Sequence, residues 1–386
     1  METGKLSFGK KKLGFGLMRL PLLDPENNAA VDVEQLKVMV DRFMEKGFTY
    51  FDTAWMYCGF QSENAIREAL VERYPRDSFT LTTKLHVRFV TCKEDRDKIF
   101  NEQLRKTGAK YFDYYLLHNA STDNYGDLEK YDCFEWLKEK KRQGLVKHIG
   151  FSIHDGPDGV ERMLREHPEM EFVQLQLNYL DWDSVGIRSR ECYEIAEKYH
   201  KPVIVMEPVK GGALFNLPPE ALALMRSVRP DDSPAAWALR FAADKPNVQL
   251  VLSGMSSIAQ MEDNLAIMEE PQSLSEEESA VLDKVVKILG GDRSVPCTSC
   301  SYCTDGCPMG IPIPRYFALF NADHGVYHTK GWSPQLRVFQ AMSKLPGNTA
   351  ECIACGQCES ICPQHISIIE ELKKLTDYFT KPVTYT

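Results

Sequence analysis

Short runs of apolar, β-branched and aromatic residues recur along the first two thirds of the chain, separated by longer stretches whose apolar positions repeat every three or four residues. The short runs cover residues 48–53, 79–85, 111–118, 146–152, 172–179, 202–209, 248–254 and 265–268, which makes eight. Helical periodicity covers 63–72, 133–143, 159–166, 189–199 and 235–243, with Gly47, Gly108 and Gly144 standing where helices end. Strands that are apolar on both faces and alternate with helices are parallel and buried. Eight of them within roughly 250 residues predict an α/β fold of the (β/α)8 TIM-barrel type. An open doubly wound sheet needs a glycine-rich phosphate loop after an early strand, and Gly14-Phe15-Gly16 lacks both the third glycine and a following helix.

Residues 5–8 and 12–15, around Gly9, read as a hairpin that plugs the bottom of the barrel. Ser275-x-x-Glu278 is a capping box, and the helix it opens runs to Leu289 and stops at Gly290-Gly291. That double glycine divides the chain into a barrel at 1–290, a second domain at 291–370 and a tail at 371–386. Helical patterns at 316–321 and 335–343 make the second domain small and mostly α-helical.

The second domain carries one spacing twice, C-x2-C-x2-C-x3-C-P: Cys297, Cys300, Cys303 and Cys307 with Pro308, then Cys352, Cys355, Cys358 and Cys362 with Pro363. Bacterial ferredoxins use this run for 4Fe-4S clusters, and its fourth cysteine ligates the other cluster. One cluster is therefore expected on Cys297, Cys300, Cys303 and Cys362, the other on Cys352, Cys355, Cys358 and Cys307. Structural zinc or a disulfide framework would not explain three evenly spaced cysteines, a fourth and a proline, repeated as a whole. Cys58, Cys92, Cys133 and Cys192 stand apart and read as small buried hydrophobes.

Charge adds exclusions. With 46 Lys and Arg against 55 Asp and Glu, the net charge is -9 and no basic run is concentrated, which argues against a nucleic-acid partner. The first fifteen residues hold four lysines and no signal-type apolar core, and no segment approaches eighteen apolar residues in a row. A cytoplasmic protein without a membrane partner is expected, its twelve cysteines serving as metal ligands in a reducing compartment. Oxygen-labile clusters point to an anaerobic bacterium.

In a barrel of this kind chemistry sits at the C-terminal ends of the strands. Those ends here carry Asp52, Lys84 and His118, with Tyr57 five residues past the first. Each has an ordinary reading alone; four together at strand ends do not. Through Gly16-x-Met18-Arg19-Leu20, Asp52-Thr53-Ala54 with Tyr57, Lys84 and His118, residues 1–290 resemble the aldo-keto reductases, and residues 292–370 resemble a helical two-cluster ferredoxin module. The combination is similar to bacterial ferredoxin-fused aldo-keto reductases.

The resemblance implies reduction of an aldehyde or ketone by NADH or NADPH, with Tyr57 as general acid. Lys84 beside it would lower the phenol pKa, Asp52 would hold Lys84, and His118 would orient the carbonyl. It also implies cofactor contacts: Ser152 and Gln174 to the carboxamide, the loop Pro208, Lys210, Gly211 and Gly212 to the pyrophosphate, and Ser253, Gly254, Ser256, Gln260 and Asn264 to the adenosine end. The chain departs from the family in three places. Ile153 follows Ser152 where an amide is usual, and Met206 replaces the ring that stacks on the nicotinamide. Gly254 and Gln260 replace the basic clamp for a 2'-phosphate, which points to NADH unless Lys210 or Arg19 supplies the charge. Met18, Trp55, Tyr179, Trp182 and the loop 120–131 are candidates to face substrate.

A two-electron hydride donor and one-electron clusters do not couple without a mediator such as flavin. The cluster domain can therefore serve electron transfer, docking or sensing. Two other functional classes stay open: an electron-transfer protein fed by a ferredoxin-like or flavin-containing partner, and a non-catalytic nicotinamide-binding sensor.

Overall fold

The computed structural model describes residues 6, 8–9, 11–122, 124–184, 187–290, 295–297, 300–324, 333–362 and 364–380. Eight parallel strands close into a barrel in chain order. They are β1 (Leu13–Gly16), β2 (Tyr50–Asp52), β3 (Thr80–Leu85), β4 (Phe112–Leu117), β5 (Val146–Ile153), β6 (Phe172–Gln176), β7 (Val203–Met206) and β8 (Val248–Gly254). The count of eight holds, but its membership changes. The run at 265–268 lies inside the helix Ile258–Glu269, and the missing strand is Leu13–Gly16, which pairs with both β2 and β8. It is thus a barrel strand and not an arm of a hairpin.

The plug survives in part. Phe8 is buried at the centre of a cluster with Tyr50, Tyr114, Leu116, Phe172, Ile204, Leu250 and Leu252, and its ring stacks on Tyr114 with centroids 5.0 Å apart. Lys5 and Ser7 lie outside the described residues. Interstrand register ties these positions to one side of the sheet: Gly14 faces Tyr50 and Leu252, Leu116 faces Lys84 and Gly150, and Gly150 faces Phe172. Side chains alternate along a strand, so each interior row continues upward in steps of two. The rows that begin at Tyr50, Tyr114, Gly150, Phe172 and Ile204 thereby reach Asp52, His118, Ser152, Gln174 and Met206. The same alternation that fills the barrel with rings delivers the polar residues to its mouth.

The chain separates into two compact units. One comprises 1–178, 191–209 and 235–274; the other comprises 179–190, 210–234 and 275–386. This division does not follow the double glycine at 290–291, because the helix Glu276–Gly290 packs with Pro219–Val228 and Arg229 Nε reaches Glu278 Oε1 at 2.6 Å. The capping box forms as read: Ser275 N–H donates to Glu278 Oε2 at 2.7 Å, and Glu278 N–H donates to Ser275 Oγ at 3.2 Å.

The cysteine-rich part is helical, with Tyr302–Asp305, Ile313–His324, Pro334–Met342, Gln357–Ser360 and Ile368–Thr380 around a core of Tyr316, Phe317, Phe320, Phe339, Leu372 and Phe379. The last of these helices crosses residue 371, so 371–380 is packed helix and not tail; its Leu372, Leu375 and Phe379 repeat at helical spacing into that core. No helix among the described residues is long and apolar enough to cross a membrane.

Two interior glycines are tightly enclosed, Gly150 by backbone as well as side chain. A Cβ on Gly150 would meet the Phe172 ring and the Phe172 carbonyl oxygen at 2.7 Å, and one on Gly14 would meet Leu252 Cδ2 at 2.7 Å. Gly150→Ala should therefore cost about 1–3 kcal/mol of stability, read as a lower urea midpoint. Gly126→Ala, with open space around the added methyl, should be neutral or stabilising by up to about 1 kcal/mol.

Candidate functional site

Four side chains predicted from strand ends converge. Lys84, at 0 % exposure, donates to Asp52 Oδ1, to the Thr53 carbonyl oxygen at 2.9 Å and to Tyr57 Oη at 3.4 Å. Its ammonium also lies 4.9 Å from the Tyr57 ring centroid. The Tyr57 and His118 rings meet edge to face at 5.6 Å and 86°. β2 supplies Asp52, the loop behind it Tyr57, β3 supplies Lys84, and the end of β4 supplies His118.

Burial dominates the electrostatics. It works against the Lys84 ammonium, but Asp52 and Tyr57 together more than offset this and raise the Lys84 pKa. Burial raises the Asp52 carboxyl, and Lys84 restrains that rise. For Tyr57 the net direction is up: burial outweighs the stabilisation of a phenolate by Lys84. Lys84 thus lowers the phenol as expected, but burial reverses the net direction. A buried phenol keeps its proton, and the ammonium limits how far its acidity is weakened. Burial, helped by the Lys84 charge, holds His118 well below the ordinary imidazole range, so its ring is neutral.

The chain just past Tyr57 is strained. Cys58, Gly59 and Phe60 take φ values of 49°, 55° and 68° in succession, a left-handed turn that costs roughly 1–2 kcal/mol per non-glycine residue. It tucks Cys58 under the site, where the thiol faces the Leu17 and Met18 carbonyls at 3.6 Å and burial raises its pKa. Cys58, Cys133 and Cys192 are buried as expected, whereas Cys92 is half-exposed at the head of the helix Lys93–Thr107.

Around this centre lie the expected nicotinamide contacts of the same unit. Ser152 is buried and its Oγ accepts from Asn119 N–H at 2.9 Å, leaving the hydroxyl hydrogen to donate elsewhere. Gln174 Nε2 lies 3.7 Å from Met206 Sδ, while its Oε1 is buried with no hydrogen-bond partner among the described residues. A buried amide oxygen left unpaired is costly, and a ligand amide would satisfy it. Farther along the rim, Asn264 donates to Ser253 Oγ at 2.8 Å, Ser256 N–H to Gln260 Oε1 at 2.8 Å, and Ser256 Oγ to the Arg19 carbonyl at 2.9 Å. Pro208 belongs to this unit.

Lys210, Gly211, Gly212, Tyr179 and Trp182 belong to the other unit. There Lys210 Nζ is buried against Asp181 Oδ1 at 2.6 Å, so its charge is already matched. In the first unit the Arg19 side chain lies across Gly254, whose missing Cβ would sit 3.5 Å from Arg19 Cβ.

Sequence reasoning missed two groups. Phe60, Phe89 and His86 continue from the substrate-facing candidate Trp55 in a chain of ring contacts at 5.7, 5.8 and 6.2 Å, and His86 reaches His118 at 5.5 Å. Burial lowers the His86 pKa to about 4, which makes this wall neutral. The other missed group is a buried carboxylate, Glu63, held by Thr83, Gln103 and Lys106. Neither had a signal beyond ordinary aromatic and charged residues in amphipathic stretches.

The eight repeated cysteines line two pockets. One is lined by Cys307, Cys352, Cys355 and Cys358 with Met309, Ile353 and Leu372. The other is lined by Cys297, Cys300, Cys303 and Cys362 with Phe317 and Ile366. Four thiols and an apolar lining in each fit a 4Fe-4S cluster, and the fourth thiol comes from the other run in both. Cys300 and Cys355 are exposed.

The comparisons with known proteins agree with this geometry. Residues 12–287 match the aldo/keto reductase family, and residues 296–367 match the 4Fe-4S dicluster domain. An uncharacterized oxidoreductase of Bacillus subtilis, YqkF, is 24% identical over 316 residues, covering 74% of this chain and 96% of that protein. Pyridoxine 4-dehydrogenase of Escherichia coli is 27% identical over 303 residues, covering 74% and 99%. Among solved structures, aldo-keto reductase AKR11C1 of Bacillus halodurans in its holo form superposes with a TM-score of 0.59 at 25% identity, covering 73% and 96%. An aldo/keto reductase of Klebsiella pneumoniae in complex with NADP and acetate shares the fold at TM-score 0.58 and 21% identity, covering 71% and 91%. With a matching (β/α)8 barrel and a dicluster domain following it in sequence, the chain belongs to the aldo/keto reductase family.

Proposed function

We propose that the protein reduces an aldehyde or ketone to an alcohol with a nicotinamide cofactor, using Tyr57 as the proton donor. The observation that carries this reading is the Lys84 ammonium placed between the Asp52 carboxylate and the Tyr57 hydroxyl. A bound reduced nicotinamide supplies the hydride. Ser152 and the unpaired Gln174 Oε1 would hold its carboxamide, with Met206 in place of the usual stacking ring. As the carbonyl oxygen becomes negative, neutral His118 donates a hydrogen bond to it and Tyr57 transfers its proton. Lys84, kept charged by Asp52, then stabilises the phenolate left on Tyr57. One hydride and one proton balance the reduction.

NADH is the proposed donor, because neither Gly254 nor Gln260 brings a cation to a 2'-phosphate and Lys210 is matched by Asp181. Arg19, across Gly254, is the cation that would recover NADPH, a cofactor with which a structural neighbour from Klebsiella pneumoniae was solved. The ratio of kcat/KM for the two cofactors decides between them, and Arg19→Ala should lower only the NADPH value if Arg19 binds the phosphate.

Cys297, Cys300, Cys303 and Cys362 would hold one cluster, and Cys307, Cys352, Cys355 and Cys358 the other; such clusters store and pass single electrons. An electron-transfer reading is favoured by one observation: each pocket has an exposed ligand, Cys300 or Cys355, where a ferredoxin-like or flavin-containing partner can approach. Anaerobic stopped-flow that follows NADH absorbance and cluster bleaching together separates carbonyl reduction from electron transfer.

Tyr57→Phe should lower kcat for a small aldehyde by at least about 100-fold while leaving cofactor affinity intact. Lys84→Met should lose activity as well and cost about 3–5 kcal/mol of stability, since it strands the Asp52 charge. Cys362→Ser should remove the cluster of Cys297, Cys300 and Cys303, halving iron from about eight to about four atoms per chain. Its residual spectrum should then match that of Cys300→Ser and differ from that of Cys358→Ser.

A further inference from the structure

Glu63 is a fully buried carboxylate that the proposed reaction does not use. Its Oε1 accepts from Thr83 Oγ1 and from Gln103 Nε2, both at 2.8 Å, and its Oε2 accepts from Lys106 Nζ at 3.1 Å. Gln103 Nε2 also lies 3.0 Å from the Lys84 carbonyl oxygen, and Gln103 Oε1 accepts from Tyr115 Oη at 2.6 Å. Lys106 stands 4.6 Å from the Trp55 ring centroid. Next to Glu63, Ser62 Oγ lies 2.7 Å from Thr53 Oγ1 and donates to the Leu17 carbonyl at 2.9 Å. Gln103 and Lys106 are three residues apart in the helix Lys93–Thr107, hence on one face.

These contacts grip the two segments that must meet for proton transfer. Trp55 precedes Tyr57 by two residues and Glu63 follows it by six, while Thr83 adjoins Lys84. Between Tyr57 and Glu63 lies the left-handed turn Cys58–Gly59–Phe60, which persists only where its surroundings over-determine it. A buried ion pair is a poor source of net stability compared with apolar packing, and its better-attested use is to fix one arrangement.

We propose that the Glu63–Lys106 pair positions the proton donor: it locks the Trp55–Tyr57 loop against the Thr83–Lys84 strand end and so sets the separation of Lys84 Nζ and Tyr57 Oη. Glu63 and Lys106 are positioning residues and touch neither substrate nor cofactor. The proposal rests on Tyr57 as the proton donor, and the test keeps the two apart.

The experiment uses the full chain with its clusters, comparing wild type, Glu63→Gln, Lys106→Met and Lys106→Arg. Steady-state kinetics with benzaldehyde and NADH are run beside 13Cζ-tyrosine NMR titration, with Tyr57 assigned by the signal lost in Tyr57→Phe. Glu63→Gln and Lys106→Met should lower kcat by about 10- to 100-fold, leave the KM for NADH within about twofold, and move the Tyr57 titration up by about one pH unit as Lys84 drifts from it. Lys106→Arg, which keeps the charge, should restore most of both. If Glu63→Gln does not fold, Thr83→Val removes one donor to Glu63 without stranding a charge, and it should shift Tyr57 in the same direction.

A folded Glu63→Gln with unchanged kcat and unchanged Tyr57 titration overturns the proposal. So does a variant that loses stability and activity together while Tyr57 titrates as in wild type, because that is a purely structural role. Absence of aldehyde turnover in wild type would sink the reductase reading alone, since the Tyr57 titration still reports on positioning.

Discussion

Everything at the mouth of the barrel depends on one ammonium held where water cannot reach it. Lys84 carries its charge at 0 % exposure because Asp52 sits against it and the Thr53 carbonyl takes a second hydrogen. Without that carboxylate, burial would favour neutral lysine, and Tyr57 would face a group unable to stabilise a phenolate. Asp52 and Lys84 stand on neighbouring strands, so the pair is also a constraint on how β2 and β3 are set side by side. The charge relation and the strand relation are the same requirement seen at two scales.

Much of this was legible in the chain because the barrel repeats a simple grammar. Buried parallel strands are apolar on both faces, so a polar residue at the end of one stands out, and Asp52, Lys84 and His118 all did. The interior parity then explains why a run such as 111–118 can begin among aromatic core residues and end on a histidine. The miscounted strand shows where the grammar fails. Leu13–Gly16 is only four residues beside a lysine run, too short to outweigh its neighbours. The stretch 265–268 looked strand-like in isolation, although Met261, Leu265 and Met268 are buried together at helical spacing.

What stayed hidden was burial itself. The family resemblance implied Lys84 as the partner of Tyr57, but not that desolvation would win and leave the phenol less acidic than a free one. Glu63 and Lys106 look like the solvent side of two amphipathic helices, and only the packing of the helix Lys93–Thr107 reveals them as an interior pair. Phe60 and Phe89 likewise become a wall only once His86 is placed between Phe89 and His118.

The exchange of one thiol between the two cysteine runs bears on how the C-terminal module is made. On the proposed ligation, the earlier run can offer only three sulfurs to its own pocket until Cys362 has left the ribosome, and Cys307 must wait unsatisfied for the later run. On that ligation neither pocket would have its four sulfurs until both runs have been synthesised, so the two centres would be completed together. Once complete, they would tie together segments some fifty residues apart, as cross-links do, and metal loading would then be coupled to the packing of the core that holds Phe339, Leu372 and Phe379.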